Sequence, residues 1–201
     1  MTLEEFRSKL KRQLPSPYSR PFVCDGSPLK CRIFIVGTNS ARLVEKPFLS
    51  FLDLFHGFKK KEFLRELYQL SGGPTPTRRN IEHVADAAGQ NGVLDTNIYL
   101  SATPRANLLD SEDKKSDVFE FLLRTIKPEI VLAHGNPAKN FFRRRCGNFV
   151  EDTVTPRPVT LDGQEFRLLC SQHLSFKMSA EAAKEIGRAL AKALQNGVQS
   201  T

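Results

Sequence analysis

No stretch of this chain approaches twenty consecutive apolar residues, so a membrane-spanning helix is not expected. Its first ten residues, M-T-L-E-E-F-R-S-K-L, carry charges throughout and lack the apolar core of a secretory signal. That predicts an intracellular, cytoplasmic protein, nucleoid-associated if the source is bacterial. Cysteine is scarce and poorly spaced for metal binding. Cys24, Cys31, Cys146 and Cys170 form no C-x-x-C pair, which argues against a zinc ribbon and leaves a four-cysteine iron–sulfur cluster only weak support. Cys31 and Cys170 lie in or beside apolar strand-like runs and read as reduced core residues. There is no P-loop, no nucleophilic serine elbow and no G-x-G-x-x-G, so phosphoryl transfer, serine acyl transfer and dinucleotide redox chemistry lack their usual signatures. Internal repeats and low-complexity segments are also missing. No cofactor and no metal is expected.

The chain does have a surplus of positive charge. Thirty Lys and Arg against twenty-two Asp and Glu give a net +8, which favours a polyanionic partner, although a solvated basic surface produces the same balance. At 201 residues with 40% hydrophobic composition, the chain can bury the core of one domain. The expected division is an N-terminal helix and irregular arm over residues 1–28, then a single domain over 29–197, monomeric.

The segment that organises the rest is R-I-F-I-V-G-T-N-S-A, Arg32 to Ala41. Its apolar run breaks at Gly37 into a polar turn, as a buried parallel strand does when it empties into a ligand crevice. Gly37 permits close approach and Asn39 offers an amide; both residues also form turns for purely local reasons. Before this segment, Thr2 and Glu5 form a capping box for a helix with Leu3, Phe6, Leu10 and Leu14 on one face. After it, Phe48, Phe51, Phe55 and Phe58 recur at helical spacing in Pro47 to Phe58 and predict a buried helix face. Lys59 to Leu70 and Thr77 to Ala88 read as two further helices, the second entered through the basic segment P-T-P-T-R-R-N. Gly92 to Leu100 is a second strand, polar at Asp95-Thr96-Asn97, and Ser116 to Ile126 a helix. Glu129 to Ala133 is a strand ending in His134-Gly135-Asn136-Pro137, with Asn136 as the expected cap of helix Ala138 to Arg145. Asp162-Gly163 turns a hairpin whose second strand, Phe166 to Cys170, empties into S-Q-H-L-S. Ser179 caps a last amphipathic helix with Gly197 beyond its end. The alternation predicts an α/β fold, a three-layer α/β/α sandwich around a mostly parallel four-stranded sheet.

Four strand ends thus carry polar groups: Asn39, Asn97, His134 and His173. Amides and histidines without an acidic cluster suit recognition of a flat polar heterocycle. At these residues the chain resembles the uracil-DNA glycosylase superfamily, in its mismatch-specific and thymine-type branch. G-T-N-S-A (Gly37 to Ala41) is similar to the first motif, and L-D-T-N (Leu94 to Asn97) to the pyrimidine-reading strand. I-K-P-E-I-V-L-A-H-G-N-P-A (Ile126 to Ala138) is similar to the third segment, and S-Q-H-L-S (Ser171 to Ser175) to the final motif. The likeness covers roughly residues 30 to 195. Ser40 and Leu174 stand where that family has proline, and the first loop lacks the carboxylate of its most efficient branch.

The resemblance implies excision of a flipped uracil or mismatched base from damaged duplex DNA, or from single-stranded DNA. The alternative is a non-catalytic DNA- or nucleotide-binding protein of the same fold. By position, Asn39 would orient water, Asn97 would read the base and His173 would stabilise charge on its carbonyl oxygen. Gly37, Thr38 and Ser175 would line the pocket, with Phe48 or Phe51 stacking on the base. Arg78, Arg79 and Lys177 would contact DNA, and Leu174, Phe176 or Met178 would wedge into the duplex.

Overall fold

In a computed structural model, the protein is described over residues 1–40, 43–89, 92–103, 106–147, 152, 154–175 and 177–198. The architecture follows from three β-segments whose side chains are apolar on both faces, the pattern of strands covered from two sides. Ile33 and Ile35 point one way and Phe34 and Val36 the other along β2 (Ile33–Asn39). The same split divides Ile130 and Leu132 from Val131 and Ala133 in β6 (Ile130–His134). It recurs between Leu169 and the pair Leu168 and Cys170 in β8 (Gln164–Ser171).

These three strands and β5 (Val93–Tyr99) run parallel, in the order β5-β2-β6-β8. The sheet does not stop at the expected four strands. Antiparallel edges are added by β1 (Phe22–Cys24) beside β5 and by β7 (Arg157–Leu161) beside β8, making six. β1 lies in the segment expected to be an irregular arm. Its three residues are all buried, and Phe22 and Val23 pair with Thr96 and Asp95.

Helices cover both faces. α1 (Leu3–Gln13), α4 (Asp117–Ile126) and α5 (Asn136–Arg145) pack on the side of Phe34 and Val36, while α3 (Pro76–Ala87) and α6 (Ala180–Val198) cover Ile33 and Ile35. Thr2 and Glu5 form the expected capping box on α1, whose Phe6 and Leu10 are fully buried, so the N-terminal helix is part of the core. The α3–α6 contact is close because Gly187 lacks a side chain: a Cβ there would lie 2.4 Å from the Val84 carbonyl oxygen. Gly197 lies inside α6 rather than past its end.

The expected helix over Pro47 to Phe58 does not form. A short 3₁₀ turn (Phe48–Phe51) leads into a small hairpin of β3 (Leu52–Asp53) and β4 (Gly57–Phe58). The Asp53 carboxylate accepts from the backbone N–H groups of Phe55 and His56, which stabilises the turn against a continuing helix. Phe48, Phe51 and Phe58 still enter the core, but Phe55 is 93% exposed at the hairpin tip. α2 (Lys60–Ser71) follows and ends at Gly72 in the left-handed conformation. On α5 the cap position is Gly135, without a side-chain cap bond, and Asn136 is already helical. Among the described residues, no helix is long and apolar enough to cross a membrane.

Candidate functional site

Strand alternation brings the polar strand ends together. Gly37 and Asn39 continue the Ile33–Ile35 face of β2, Asn97 lies on the Asp95 side of β5, and His134 continues the Ile130–Leu132 face of β6. Gly37 is paired with Asn97 and Ile35 with Asp95, so these side chains emerge on the α3 side at the carboxyl ends of parallel strands. They line a cleft of about 420 Å³, together with Thr38, Ser40, Arg20, Tyr68, Arg78 and His173. A wider depression of about 540 Å³ on α2 is lined by that helix's own Lys61, Leu64, Arg65, Tyr68 and Gln69, and gathers no groups from elsewhere.

Gly37 is what leaves the cleft floor open. A Cβ there would stand 2.7 Å from Asn97 Oδ1 and 3.0 Å from His134 Nε2, so both polar atoms occupy the space over its Cα. Asn39 is held in one orientation: its amide nitrogen donates to the carbonyl oxygens of Ser40 (3.0 Å) and Thr103 (2.9 Å) and to Thr103 Oγ1 (2.9 Å). The amide oxygen is therefore the group it has left to offer.

The charges of the cleft are largely paired. Asp95 points into it, but Arg78 Nη2 donates to Asp95 Oδ2 at 2.5 Å, with both side chains buried. Arg78 also donates to Glu82 (3.2 Å), and Glu82 in turn pairs with Lys60 (2.6 Å). Burial disfavours the charge on Arg78, yet Asp95 and Glu82 outweigh it and hold the guanidinium above its ordinary pKa.

His134 is 4% exposed, and its Nδ1 is buried with no hydrogen-bond partner. Its ring meets that of His173 edge to face, 5.2 Å between centroids. Burial first, then the neighbouring His173, bring the His134 pKa down to about 4, with Asp95 opposing and Arg78 reinforcing. The imidazole is therefore neutral at pH 7. His173, exposed at the rim, is also lowered by loss of hydration.

The low pKa of His134 sets a pH dependence of stability. The folded state takes up this proton only near pH 4, whereas the unfolded chain takes it up near 6.5. Stability is therefore lost as pH falls from about 6.5 towards 4, by about 3 kcal/mol from this group. Urea unfolding of the parent and His134→Gln at pH 7 and pH 4 measures it: the acid loss should be smaller in the variant by roughly that amount. Equal acid losses would mean that His134 is hydrated.

Several expected site residues lie elsewhere. Phe48 and Phe51 are buried among Phe22, Phe58 and Phe63, with Phe48 stacked on Phe58 at 5.1 Å, so neither ring is free to meet a base. The aromatic side chain on the cleft is Tyr68 of α2. Leu174 is fully buried against α6 and cannot be a wedge, and Met178 packs partly against the same cluster. Phe176 lies outside the described residues. Arg78 is an internal ion-pair partner instead of a surface cation. Arg79 and Lys177 are exposed. Ser175 is not among the cleft-lining residues; its carbonyl oxygen accepts from Asn80, which ties the loop to α3. Arg145 is engaged by Glu120 and Asp162.

No protein-family model matches this chain, and no curated protein matches it either.

Proposed function

We propose that the protein is a DNA base-excision glycosylase that cleaves the N-glycosidic bond of uracil, or of a mismatched or damaged base, flipped out of DNA. The observation that carries this reading is the convergence of Asn97 and neutral His134 over Gly37, in a cleft whose carboxylate is already paired. A flipped base is flat and neutral and presents donors and acceptors along one edge, and a side-chain amide can meet both kinds. Four parallel strands between helix layers, with the cleft at their carboxyl ends, support a uracil-DNA glycosylase-like fold.

In this mechanism Asn97 accepts from N3–H of uracil and donates to O4. As the C1′–N1 bond breaks, its electron pair leaves with the base, and negative charge grows on the base carbonyl oxygens. A donor from the His134–His173 pair, aimed at O2, is worth most at that stage. Water held by the Asn39 amide oxygen adds to C1′, and its proton ends on the departing base. Tyr68 supplies the ring that lies along the base. Exposed Arg79 and Lys177 contact backbone phosphates. With Asp95 bound to Arg78, rate rests on leaving-group stabilisation instead of a carboxylate base.

The same ion pair favours a second reading, a non-catalytic DNA- or nucleotide-binding protein, because it withdraws the carboxylate that could activate water. The test is incubation with duplexes carrying uracil, thymine opposite guanine, or hypoxanthine, followed by cleavage at abasic sites. Strand breaks at one of these bases are expected. Binding to all three without a break on any supports the second reading.

A further inference from the structure

Arg20 is the charged side chain of the cleft that the mechanism leaves unused. It precedes β1 and is partly exposed. Among the described residues it makes no hydrogen bond or ion pair. The cleft's Arg78 and Asp95 pair with each other, and Arg78 is joined away from the cleft lining to Glu82 and through it to Lys60, so that along this series two cations balance two carboxylates. Both histidines are held towards the neutral form. Among the described residues, Arg20 therefore has no carboxylate bonded to it, and Asp95, already bound to Arg78, acts on it only through space. Loss of hydration, and after it the charge of Arg78, lower its pKa to about 10 against the pull of Asp95, so it stays cationic at pH 7.

A second feature faces the same space. α3 begins there: Thr75 and Thr77 line the cleft beside Arg20 and Arg78. Thr75 caps this twelve-residue helix by accepting from the Arg78 N–H, and the positive end of the helix dipole favours an anion at this position. A guanidinium that is unpaired among the described residues, a helix N-terminus and two hydroxyl side chains together suit an anion, whereas a neutral base needs none of them.

We propose that Arg20 and the start of α3 form a phosphate subsite next to the base-reading groups, so that the cleft takes a base together with a phosphate of its own nucleotide. This rests on the base-binding reading of the cleft. The phosphate is a diester in a DNA strand or a monoester in a free nucleotide, and the chemistry at Arg20 is the same for both.

Equilibrium binding separates the possibilities. The probes are uracil, uridine 5′-monophosphate, a trinucleotide with central deoxyuridine, and inorganic phosphate, each titrated into the parent, Arg20→Gln and Arg20→Lys. Thermal unfolding checks that the variants are folded. Uracil should bind all three equally. At least one phosphate-bearing probe should bind the parent more tightly than uracil does, with Arg20→Gln losing roughly tenfold to a hundredfold of that affinity and Arg20→Lys recovering part of it. Gain with the trinucleotide alone identifies a strand, and gain with the monophosphate identifies a free nucleotide. If uracil binds but neither phosphate-bearing probe depends on Arg20, the subsite is overturned and the base reading stands. If uracil fails to bind, the base reading falls, and Arg20-dependent binding of inorganic phosphate alone sustains the subsite. No Arg20-dependent binding of any probe overturns it.

Discussion

Arg78→Met is expected to lower the free energy of unfolding by about 3 to 5 kcal/mol, the size typical of removing one partner from a buried ion pair. Arg78 is 5% exposed and Asp95 6%, so methionine fills the space of the long side chain but leaves a carboxylate without its counter-charge in a dry environment. Glu82 is affected less, because Lys60 still pairs with it. A second substitution separates lost charge from lost packing. Asp95→Asn in the Arg78→Met background removes the stranded charge and should recover more than half of the loss. Urea unfolding of the parent, the single and the double variant is the measurement. A single-variant loss under about 1 kcal/mol would mean that the pair behaves as an exposed one, which is worth at most that much.

Arg78 also illustrates where sequence reading stops. In P-T-P-T-R-R-N, Arg78 and Arg79 look alike, and a basic helix entry suggests a surface that meets phosphates. Their fates differ because α3 turns about 100° per residue, so one faces β5 and the other solvent. The partner, Asp95, is seventeen residues away on another element, and no local pattern announces it. Arg20 is hidden for a related reason: it lies in a Pro- and Ser-rich stretch where short strands leave little periodic signal.

The polar strand ends are legible because each apolar run breaks into polar residues where a buried strand empties into a loop, and strand parity then fixes which of them share a face. Gly37 and Asn39 share a face with Ile33 and Ile35, and Asp95 shares one with Asn97, so a run of alternating residues already says which side chains meet. Strand parity likewise places His134 with Leu132. In sequence His134 is one more polar strand end without a role, since burial and an unpartnered Nδ1 are not visible there. The phenylalanine run shows the opposite error. Spacings of three, four and three imitate a helix, yet Asp53 accepts from the backbone of Phe55 and His56 and turns the chain there. Phe48, Phe51 and Phe58 then pack as a cluster around Phe22 and Phe63, away from the cleft, while Phe55 is left exposed. Leu174, adjacent to the rim residue His173, lies past the end of β8, where strand parity no longer applies, and packs on the Leu169 side against α6.

The second large effect concerns Asn97, whose Oδ1 stands over Gly37 in the cleft. Uracil presents a donor at N3 and an acceptor at O4, while cytosine presents an acceptor at N3 and a donor at N4, so one fixed amide matches uracil and opposes cytosine. Asn97→Asp replaces the donor by a second acceptor. It leaves the uracil O4 unpaired and puts a carboxylate in a pocket where Arg78 is already committed to Asp95. Losing one such donor from a site of this kind costs on the order of 10²-fold or more in excision rate. Cytosine gains relative to uracil, because its exocyclic amine meets a charged acceptor.

Single-turnover release of uracil and of cytosine from otherwise identical duplexes, by the parent and by Asn97→Asp, tests whether Asn97 reads a flipped base in this cleft. The parent is expected to release uracil in clear preference to cytosine, and the variant's cytosine-to-uracil rate ratio to rise by about tenfold to a hundredfold. An unchanged ratio, or release of neither base by the parent, would contradict that role.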